Sequence, residues 1–331
     1  MKAPALNPGQ LYEVSGAYWK SCTLHAGIKL DVFTVIGQDQ LTGREVAQEL
    51  NGDERGVCTL LNALTAMKLL TKSKGKYANT PISTIFLSKG SSQYIGYMIM
   101  HHYHLMDSWH QLDRAVLAGA PVRNRAGSYS KEQRESFLMG MFNMAMTLAP
   151  KVTKEIDLAD RKGLLDLGGG PGTWAIHFCL NNPALRATVY DLPTTRPFAE
   201  RIIARFGISD RVDFQDGNYL ENDIKGSYDV AWLSQILHAE SPEECRNIIQ
   251  KAVDTLKPGG LIMIHELILN SDLAGPLFPA LFSLNMLTGT AAGRSYSEQQ
   301  IMDMLRMAGV KNLKRLLFRS PNDSGIIAGT I

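Results

Sequence analysis

Residues 164–172, Leu-Leu-Asp-Leu-Gly-Gly-Gly-Pro-Gly, decide which fold this chain adopts. An apolar run that ends in an acid and then a glycine-rich turn is typical of a buried parallel strand that enters a nucleotide-binding loop. Gly168, Gly170 and Gly172 let the backbone turn and leave room for a ligand, which a side chain would block. The helix predicted at Thr173–Leu180 points its amino end at the turn. These features predict a nucleotide site at this turn.

A second acid indicates which nucleotide is bound. Asp191 closes the next predicted strand, Arg186–Tyr190, about 20 residues past the glycines, where a carboxylate holds ribose hydroxyls. Position 173 is threonine where a dinucleotide fingerprint needs glycine, and the chain lacks the Gly-Lys-Ser/Thr sequence of a P-loop. The pattern Asp-x-Gly-x-Gly-x-Gly from Asp166, followed by Asp191, resembles the first motif of class I methyltransferases. That resemblance implies S-adenosylmethionine as the bound nucleotide.

The composition fits a soluble globular protein with room for two domains. The 331 residues are 45% hydrophobic and 20% charged, and the net charge of +2 favours neither a nucleic acid nor a membrane as partner. The four cysteines are far apart and form no Cys-x-x-Cys pair, which indicates reduced thiols. No signal-peptide layout is present at the start, and no apolar run approaches the roughly 18 residues of a membrane span. We therefore expect a cytoplasmic protein.

Residues 1–118 are predicted to form an all-α domain of winged-helix type. Its predicted elements are a helix at 11–36, a short helix that the capping-box sequence Thr42–Glu45 opens and that ends at Leu50, a helix at Glu54–Leu69 and a hairpin at Thr71–Tyr77. Helix, turn, helix and hairpin wing together are the winged-helix arrangement.

A winged helix raises DNA binding as a function, because the second helix of the pair would lie in the major groove. The helix at 55–68 is basic only at its ends, and its faces are largely apolar or small. The hairpin carries Lys72, Lys74 and Lys76, which is also typical of a solvated turn. Packing or dimerisation is therefore favoured over DNA binding.

The segment 91–117 is predicted to be a helix rich in aromatic residues and histidines. His101 and His104 are three positions apart, but no cysteine or glutamate completes an obvious set of zinc ligands, so no metal site is predicted. Packing on neighbouring helices is favoured for most of these side chains. His104 is kept as a candidate for lining a substrate pocket.

The loop Gly119–Ser130 and the helix Lys131–Ala149 begin the second predicted domain, 119–331. The loop is rich in glycine, proline and arginine, as linkers are. Phe142 and Met146 share one face of the helix with further methionines. Such a stripe suits either a core or a pocket that adapts to a flat aromatic ligand.

Residues 119–160 are assigned to the linker and helices of this domain, and from residue 164 strands and helices alternate. The alternation predicts an α/β, Rossmann-like fold with a seven-stranded, mostly parallel sheet, as in class I methyltransferases. The last strand follows a short turn at 321–323, so it is predicted to be antiparallel. The predicted strands are Leu164–Leu167, Arg186–Tyr190, Val212–Gln215, Tyr228–Leu233, Gly260–Glu266, Leu313–Arg319 and Ser324–Thr330, and further helices are Pro197–Phe206, Pro242–Leu256 and Ser297–Ala308.

Five sequence blocks resemble the two-domain O-methyltransferases with an amino-terminal dimerisation domain. This family includes plant caffeate and flavonoid enzymes, acetylserotonin methyltransferase and bacterial natural-product enzymes. The resemblance covers nearly the whole chain. Its blocks are Leu165–Thr173, Tyr190–Pro193, Leu233–Cys245, Leu256–Gly260 and His265–Glu266.

The resemblance implies that His238 is the general base on the acceptor hydroxyl and that Glu266 orients it. The chemistry is reasonable, because a phenol is mostly protonated near pH 7 and an imidazole takes its proton. The chain departs from the family at Ala239, where an aspartate is usual, and at Ser295, where a second glutamate is usual. These departures leave room for a more acidic acceptor, a carbon acceptor or catalysis mainly by positioning.

The resemblance also implies residues that bind the cofactor. Asn218 stands where the family has an aspartate that meets the adenine amine, and its amide oxygen can accept that hydrogen bond. Tyr219 is expected to pack on the adenine, and Ser234 to lie near the methionine part of the cofactor. The full expected set is Asp166, Gly168, Gly170, Asp191, Leu192, Gly217, Asn218, Tyr219 and Ser234.

Substrate contacts and assembly carry over in the same way. The expected acceptor pocket is apolar, which predicts a flat, largely hydrophobic small molecule. Family members dimerise through the amino-terminal domain, so a homodimer is expected, with Tyr18 or Trp19 as residues that enter the partner's pocket. The expected substrate-binding residues are those that match pocket positions of the family, namely Phe142, Met146, Trp232, Met286 and Thr290, together with His104 from the helix at 91–117.

The residues and the resemblance together predict an S-adenosylmethionine-dependent methyltransferase of secondary metabolism. O-methylation of a phenolic or polyketide-like small molecule, without a metal, is the predicted reaction. A carbon methyltransferase acting on a tetrapyrrole or an aromatic ring is one alternative. A DNA-binding regulator that senses a ligand with its sheet domain is another, and a family member that binds the cofactor without transferring methyl is a third.

Overall fold

The computed structural model describes residues 7–125, 129–318 and 320–331, which form two compact units. The first unit contains the chain up to Leu105 together with Glu135–Asn143, and the second contains Met106–Arg134 and Met144–Ile331. The segment 135–143, predicted for the second domain, therefore belongs to the first unit. Among the described helices, none combines the length and the apolar character that crossing a bilayer requires.

The first unit is mostly helical. Buried apolar side chains from its helices and hairpin form one core that includes Phe33, Leu61, Leu64 and Tyr77. Its elements are α1 (Pro8–Gly16), α2 (Tyr18–Lys29), α3 (Val32–Ile36), β1 (Leu41–Thr42), α4 (Gly43–Glu49), α5 (Glu54–Ala66), β2 (Leu70–Ser73), β3 (Lys76–Asn79), α6 (Pro81–Phe86) and the part of α7 (Gly96–Trp109) up to Leu105.

The winged-helix arrangement is confirmed. β2 and β3 form the predicted hairpin, and β1 pairs antiparallel with β3, so the unit contains a small sheet in addition to its helices. The predicted capping box is also present: Thr42 Oγ1 accepts from the Glu45 N–H at 3.2 Å, and Glu45 Oε2 accepts from the Thr42 N–H at 2.6 Å. These bonds satisfy backbone donors that would otherwise be unpaired at the start of α4.

Three helices differ from their predictions. The single helix predicted at 11–36 is divided into α1, α2 and α3, and Asp31 between the last two has a φ of 61°, which interrupts a right-handed helix. The helix predicted at 91–117 is α7 followed by α8 (Leu112–Ala118). The helix predicted to end at Ala149 is α9 (Lys131–Glu155), which continues through Pro150 although an interior proline removes one backbone hydrogen bond and crowds the carbonyl four residues earlier.

The second unit is built on a mostly parallel sheet, as predicted. Along the sheet the strands follow the order β10, β11, β8, β7, β4, β5, β6; β11 is antiparallel to both neighbours, and the strands from β8 to β6 are parallel. The strands are β4 (Gly163–Leu167), β5 (Arg186–Asp191), β6 (Val212–Asp216), β7 (Tyr228–Ser234), β8 (Leu256–Leu269), β9 (Tyr296–Ser297), which pairs with the end of β8, β10 (Lys311–Arg315) and β11 (Ser324–Thr330).

The helices of the second unit cover this sheet. α10 (Thr173–Asn181), α11 (Arg196–Arg205), α12 (Pro242–Asp254), α13 (Leu277–Gly289) and α14 (Glu298–Met307) lie between its strands in sequence, and a short 3-10 helix occupies Leu237–Ala239. β8 is longer at both ends than the predicted Gly260–Glu266, and β9 was not predicted. The strand predicted at Leu313–Arg319 begins and ends earlier, as β10; Arg319 and residues 126–128 of the predicted loop lie outside the described residues.

The sheet brings the predicted site residues to one edge. The carboxyl ends of parallel strands meet at the same edge of a sheet. β4 ends at the glycine turn, β5 ends at Asp191, and β7 ends at Ser234, which lies directly opposite His265 of β8. The fold therefore places the glycine turn, Asp166, Asp191 and His238 around the edge of the sheet where the parallel strands end.

Candidate active site

The glycine turn has the backbone that its sequence predicted. Gly168 has a φ of 65°, and its N–H donates to the Tyr190 carbonyl oxygen at 2.8 Å. A Cβ there would lie 2.6 Å from Ile236 Cγ2, so both dihedral and space require glycine. Gly170 has a φ of 54°, with no protein atom within 4 Å of the place a Cβ would take. The turn is therefore open on the side where a ligand would approach.

Asp191 holds this turn in place from the end of β5. Its carboxylate accepts from the Gly170 N–H at 2.8 Å, the Leu192 N–H at 2.7 Å and the Thr195 hydroxyl at 2.9 Å. Burial raises the pKa of this carboxyl, and the three donors oppose the rise. The acid is thus oriented by the loop that it supports.

Asp166 lies behind the turn, with no exposed surface. Its Oδ2 accepts from the Ala175 N–H in the first turn of α10 at 3.1 Å, and its Oδ1 is buried without a partner. Burial raises the pKa of this carboxyl to about 7, against the lowering effect of the Ala175 N–H. In this conformation Asp166 supports the loop and the helix, and has no face for direct contact with a cofactor.

The loop after β6 carries the residues expected at the adenine. Gly217 lies against the Tyr190 hydroxyl, which leaves no room for a Cβ. Asn218 Oδ1 accepts from the Leu220 N–H at 3.1 Å, and one lone pair of this oxygen remains. The Tyr219 hydroxyl donates to Glu240 Oε1 at 3.2 Å.

Glu240 is a buried acid that the sequence analysis did not assign to the site. Its Oε1 accepts from Arg125 Nη2 at 2.6 Å as well as from Tyr219, and its Oε2 is buried without a partner. Burial raises the pKa of this carboxyl, and Arg125 opposes the rise. The sequence offered one signal that could have identified Glu240: it is an acid two residues after His238 and shortly before the start of α12.

A hydrogen-bonded chain runs beneath Ser234. Ser234 Oγ lies 2.9 Å from His265 Nδ1, and His265 Nε2 lies 2.9 Å from Ser324 Oγ, which donates to Ser320 Oγ at 2.6 Å. Because the Ser324 proton is used on Ser320, His265 Nε2 must carry a proton and donate to Ser324 Oγ. Burial lowers the pKa of His265 to about 4, so its Nδ1 is unprotonated and accepts from Ser234. Ser234 therefore presents lone pairs, not a proton, to a ligand.

His238 and Glu266 form the pair that the resemblance implied. His238 Nδ1 lies 2.8 Å from Glu266 Oε2, and Glu266 Oε1 accepts from the backbone N–H of Leu237 at 2.8 Å and of His238 at 3.3 Å. Burial raises the pKa of Glu266, but His238 and these donors outweigh it and hold that pKa below its usual range. A carboxylate only accepts, so Nδ1 carries the proton. Nε2, which makes no hydrogen bond within the described residues, has a free lone pair.

Ser295, which stands where the family usually has a second glutamate, has a structural role in this chain. Ser295 is buried, its hydroxyl donates to the Pro279 carbonyl oxygen at 3.0 Å, and its N–H donates to Ser283 Oγ at 3.1 Å. The other side of the His238 ring is fixed by Phe282, whose ring lies edge-on at 4.8 Å between centroids. The orientation of the base thus rests on one acid and one aromatic ring.

The residues expected to bind the acceptor lie in several different parts of the structure. Met286 and Thr290 lie at the end of α13, where the Thr290 hydroxyl donates to the Met286 carbonyl oxygen at 2.8 Å. Met146 Sδ lies 3.3 Å from His177 Nε2. Trp232 has no exposed surface and packs against Trp174, Phe178 and His265, so in this conformation its ring supports the site from behind. Phe142 and His104 belong to the first unit.

A sheet of this order, with a glycine turn after its first parallel strand and an acid after the second, defines a class I methyltransferase. Residues 111–311 match the family described as O-methyltransferase domain, and residues 12–89 match the O-methyltransferase dimerisation domain. The chain belongs to this O-methyltransferase family. The family match shows that the protein is an S-adenosylmethionine-dependent methyltransferase. It favours this function over that of a DNA-binding regulator.

Individual relatives agree over nearly the full length. The chain is 32% identical over 328 residues to the 3-hydroxy-5-methyl-1-naphthoate 3-O-methyltransferase of Streptomyces sahachiroi, which covers 97% of this chain and 95% of the relative. It is 28% identical over 326 residues to the acetylserotonin O-methyltransferase of Gallus gallus, with 93% of each covered. The structure of an O-methyltransferase family protein from Burkholderia thailandensis matches with a TM-score of 0.89 at 28% identity, covering 99% of this chain and 98% of that one.

Proposed function

We propose that this enzyme methylates a phenolic hydroxyl of an aromatic small molecule, with His238 as general base and Glu266 as its orienting partner. The observation that carries the proposal is the 2.8 Å contact between His238 Nδ1 and Glu266 Oε2, which leaves Nε2 unpaired. A base must offer a free lone pair within hydrogen-bond reach of the proton that it takes. His238 Nε2 meets the first condition without further rearrangement of its protein partners.

The proton transfer follows from the environment of the pair. A phenol has a pKa of about 10, so near neutral pH it reacts well only if its proton is removed during the reaction. His238 Nε2 takes that proton, and the Glu266 carboxylate stabilises the positive charge that develops on the ring. Since Glu266 is buried and held below its usual pKa, it remains ionised while it does so.

The residues around the glycine turn fit S-adenosylmethionine. When bound, this cofactor supplies an electrophilic methyl group on a sulfonium. Gly170 leaves open space for it, Asp191 would hold the ribose hydroxyls, and the loop Gly217–Tyr219 would face the adenine. Ser234 would accept a hydrogen bond from the cofactor's ammonium group, because its own proton is committed to His265.

The relatives indicate the kind of acceptor. The Streptomyces sahachiroi relative is named for 3-hydroxy-5-methyl-1-naphthoate and the Gallus gallus relative for acetylserotonin. Both are aromatic compounds, which agrees with an apolar acceptor region that includes Phe282 and Met286. We therefore include hydroxynaphthoates and hydroxyindoles among the acceptors to be tested.

Two measurements test the function. Isothermal titration with S-adenosylmethionine should show binding, and mass spectrometry of reactions with phenols, hydroxynaphthoates, hydroxyindoles and tetrapyrroles should show a product heavier by one CH2. NMR of the product locates the new methyl group. If the new methyl group is on a carbon atom, the enzyme is a carbon methyltransferase instead. Ala239 and Ser295, which stand where the family usually has acids, leave room for that reaction. Cofactor binding without any product would favour a protein that has abandoned methyl transfer.

We also propose that the enzyme is a homodimer joined through its first unit. Helices α1 and α2 expose apolar side chains that are between 54% and 77% accessible, namely Leu11, Tyr12, Val14, Tyr18 and Trp19. Exposed apolar patches of this kind mark interaction sites. Sedimentation of Tyr12→Glu/Trp19→Glu should show a monomer, while Val116→Glu, another exposed apolar position, should leave the dimer intact.

A further inference from the structure

Two arginines of the loop after α8 have different surroundings. Arg125 pairs with the buried Glu240 at 2.6 Å. Arg123, two residues earlier, has no carboxylate within 4 Å of its guanidinium anywhere in the described ranges 7–125, 129–318 and 320–331. Arg123 is therefore a half-buried cation that forms no ion pair with a carboxylate in the part of the chain that the structure describes.

The guanidinium of Arg123 is nevertheless held firmly against the end of α13. Its Nη1 donates to the Tyr129 hydroxyl at 2.8 Å, its Nη2 donates to the Asn285 carbonyl oxygen at 3.2 Å, and its Nε is buried without a partner. A Cβ at position 289 would lie 2.7 Å from Nε, so Gly289 makes the space that the group occupies. A guanidinium has five N–H donors, and a minority of them are bonded here.

The place of Arg123 along α13 relates it to the base. Phe282, on the first half of α13, touches the His238 ring, and Gly289, seven residues later, touches Arg123. Residues seven apart lie on the same face of a helix, about 10 Å from each other along its axis. The cation and the base are therefore at the two ends of one helix face, with Met286 between them.

We propose that Arg123 binds the carboxylate of the acceptor, so that the enzyme acts on an aromatic hydroxy acid. This inference rests on the function proposed above. Phe282 and Gly289, which touch the base and the cation, lie about 10 Å from each other along the helix. An aromatic acceptor that carries both a hydroxyl and a carboxylate, with one hydrogen bond of about 3 Å at each end, spans a distance of this order. A guanidinium prefers a carboxylate over a neutral carbonyl because its N–H groups form paired, charge-assisted hydrogen bonds.

The test compares two ligands of nearly the same shape, of which only the first carries a negative charge: 3-hydroxy-1-naphthoate and 3-hydroxy-1-naphthamide. Affinities are measured by titration into the full-length enzyme saturated with S-adenosylhomocysteine. The wild type should bind the acid about 10- to 100-fold more tightly than the amide, as expected for a charge-assisted contact. Arg123→Gln should abolish this preference while its affinity for the amide stays the same.

Two further variants guard against a merely structural role of Arg123. Gly289→Ala leaves the arginine in the chain but displaces it, and should also abolish the preference for the acid. Arg306→Gln removes one positive charge from the exposed face of α14 and should change nothing. Equal binding of acid and amide by the wild type, no binding of the acid, or an equal loss of both ligands in Arg123→Gln would each overturn the inference. Methylation of neutral phenols would still stand in those cases, so this failure is distinct from failure of the proposed function.

Discussion

The base half and the cofactor half of the site differ in how far the protein alone completes them. Around His238 and Glu266 nearly every polar group has a protein partner, and the one free atom is the Nε2 that we assign to catalysis. Around the glycine turn and the ends of β5 and β7, six buried polar atoms have no partner among the described residues: Asp166 Oδ1, Thr173 Oγ1, the Tyr190 hydroxyl, Trp232 Nε1, Gln235 Nε2 and Glu240 Oε2. The difference suggests that substitutions in the base half act on the chemical step, and those in the cofactor half on cofactor affinity or stability.

The largest effect is expected from removal of the base. His238→Ala should lower the turnover number about 10²- to 10⁴-fold, because a positioned general base contributes that much. Its affinity for S-adenosylmethionine should remain that of the wild type. Rate measurements and titration on the same preparation separate the two quantities, and a variant that loses cofactor binding as well would break the comparison.

A smaller loss is expected from the partner of the base. Glu266→Gln should lower turnover about 10- to 100-fold, because a neutral amide neither fixes the His238 tautomer nor stabilises a charged ring as a carboxylate does. The loss should appear in the turnover number and shift the pH profile of the rate. If the profile keeps its shape and only the folding stability falls, Glu266 has a structural role alone.

In the cofactor half, Asp191→Asn should raise the dissociation constant for S-adenosylmethionine about 10- to 100-fold. The change removes a charge-assisted acceptor that the Gly170 N–H and the ribose hydroxyls would share. With saturating cofactor the turnover number should stay within about twofold of the wild type. Thr194→Ala, on the exposed side of the same loop, serves as the control for local disturbance.

The smallest effect concerns stability and its dependence on pH. Burial raises the pKa of Asp166 from 3.8 to about 7, so the folded protein keeps a proton that the unfolded chain has released. The stability contributed by this group is complete below the unfolded pKa and is lost as pH rises from about 4 to about 7. Asp166→Asn has no such proton, and it should unfold at a higher temperature than the wild type at about pH 8. The gap between the two proteins should narrow toward about pH 5; an unchanged gap would contradict the shifted pKa.

Much of the fold could be predicted because its signals are local. The glycine turn, the acid that closes β5, and the capping boxes are short patterns, and the structure has Gly168, Asp191 and Thr42 in the predicted roles of turn, strand end and cap. Element bounds were less predictable. Asp31 ends a helix through its own backbone conformation, and Pro150 fails to end one, because packing outweighs local preference in both cases.

The site could be predicted only in part, because side-chain partners come from distant segments. His238 and Glu266 follow from motifs, but the Ser324 hydroxyl that fixes the tautomer of His265 lies 59 residues away on the antiparallel strand. The burial of individual side chains could not be predicted either. Asp166 and Trp232 were expected to contact ligands, and in the structure both lack exposed surface. No sequence motif marked Arg123 as a site residue. Its position depends on the space that Gly289 leaves on α13.

The central claim, that His238 takes the proton of a phenol, is tested most directly by varying the acidity of the acceptor. Single-turnover rates of wild type and His238→Ala are compared at about pH 7 with ring-substituted derivatives of an accepted phenol, from weakly acidic ones to nitro-substituted ones that are already ionised. The account predicts a rate ratio of about 10²- to 10⁴-fold for the weakest acids that falls toward one for the ionised phenols. A ratio that stays constant across the series would show that His238 does not act as the base.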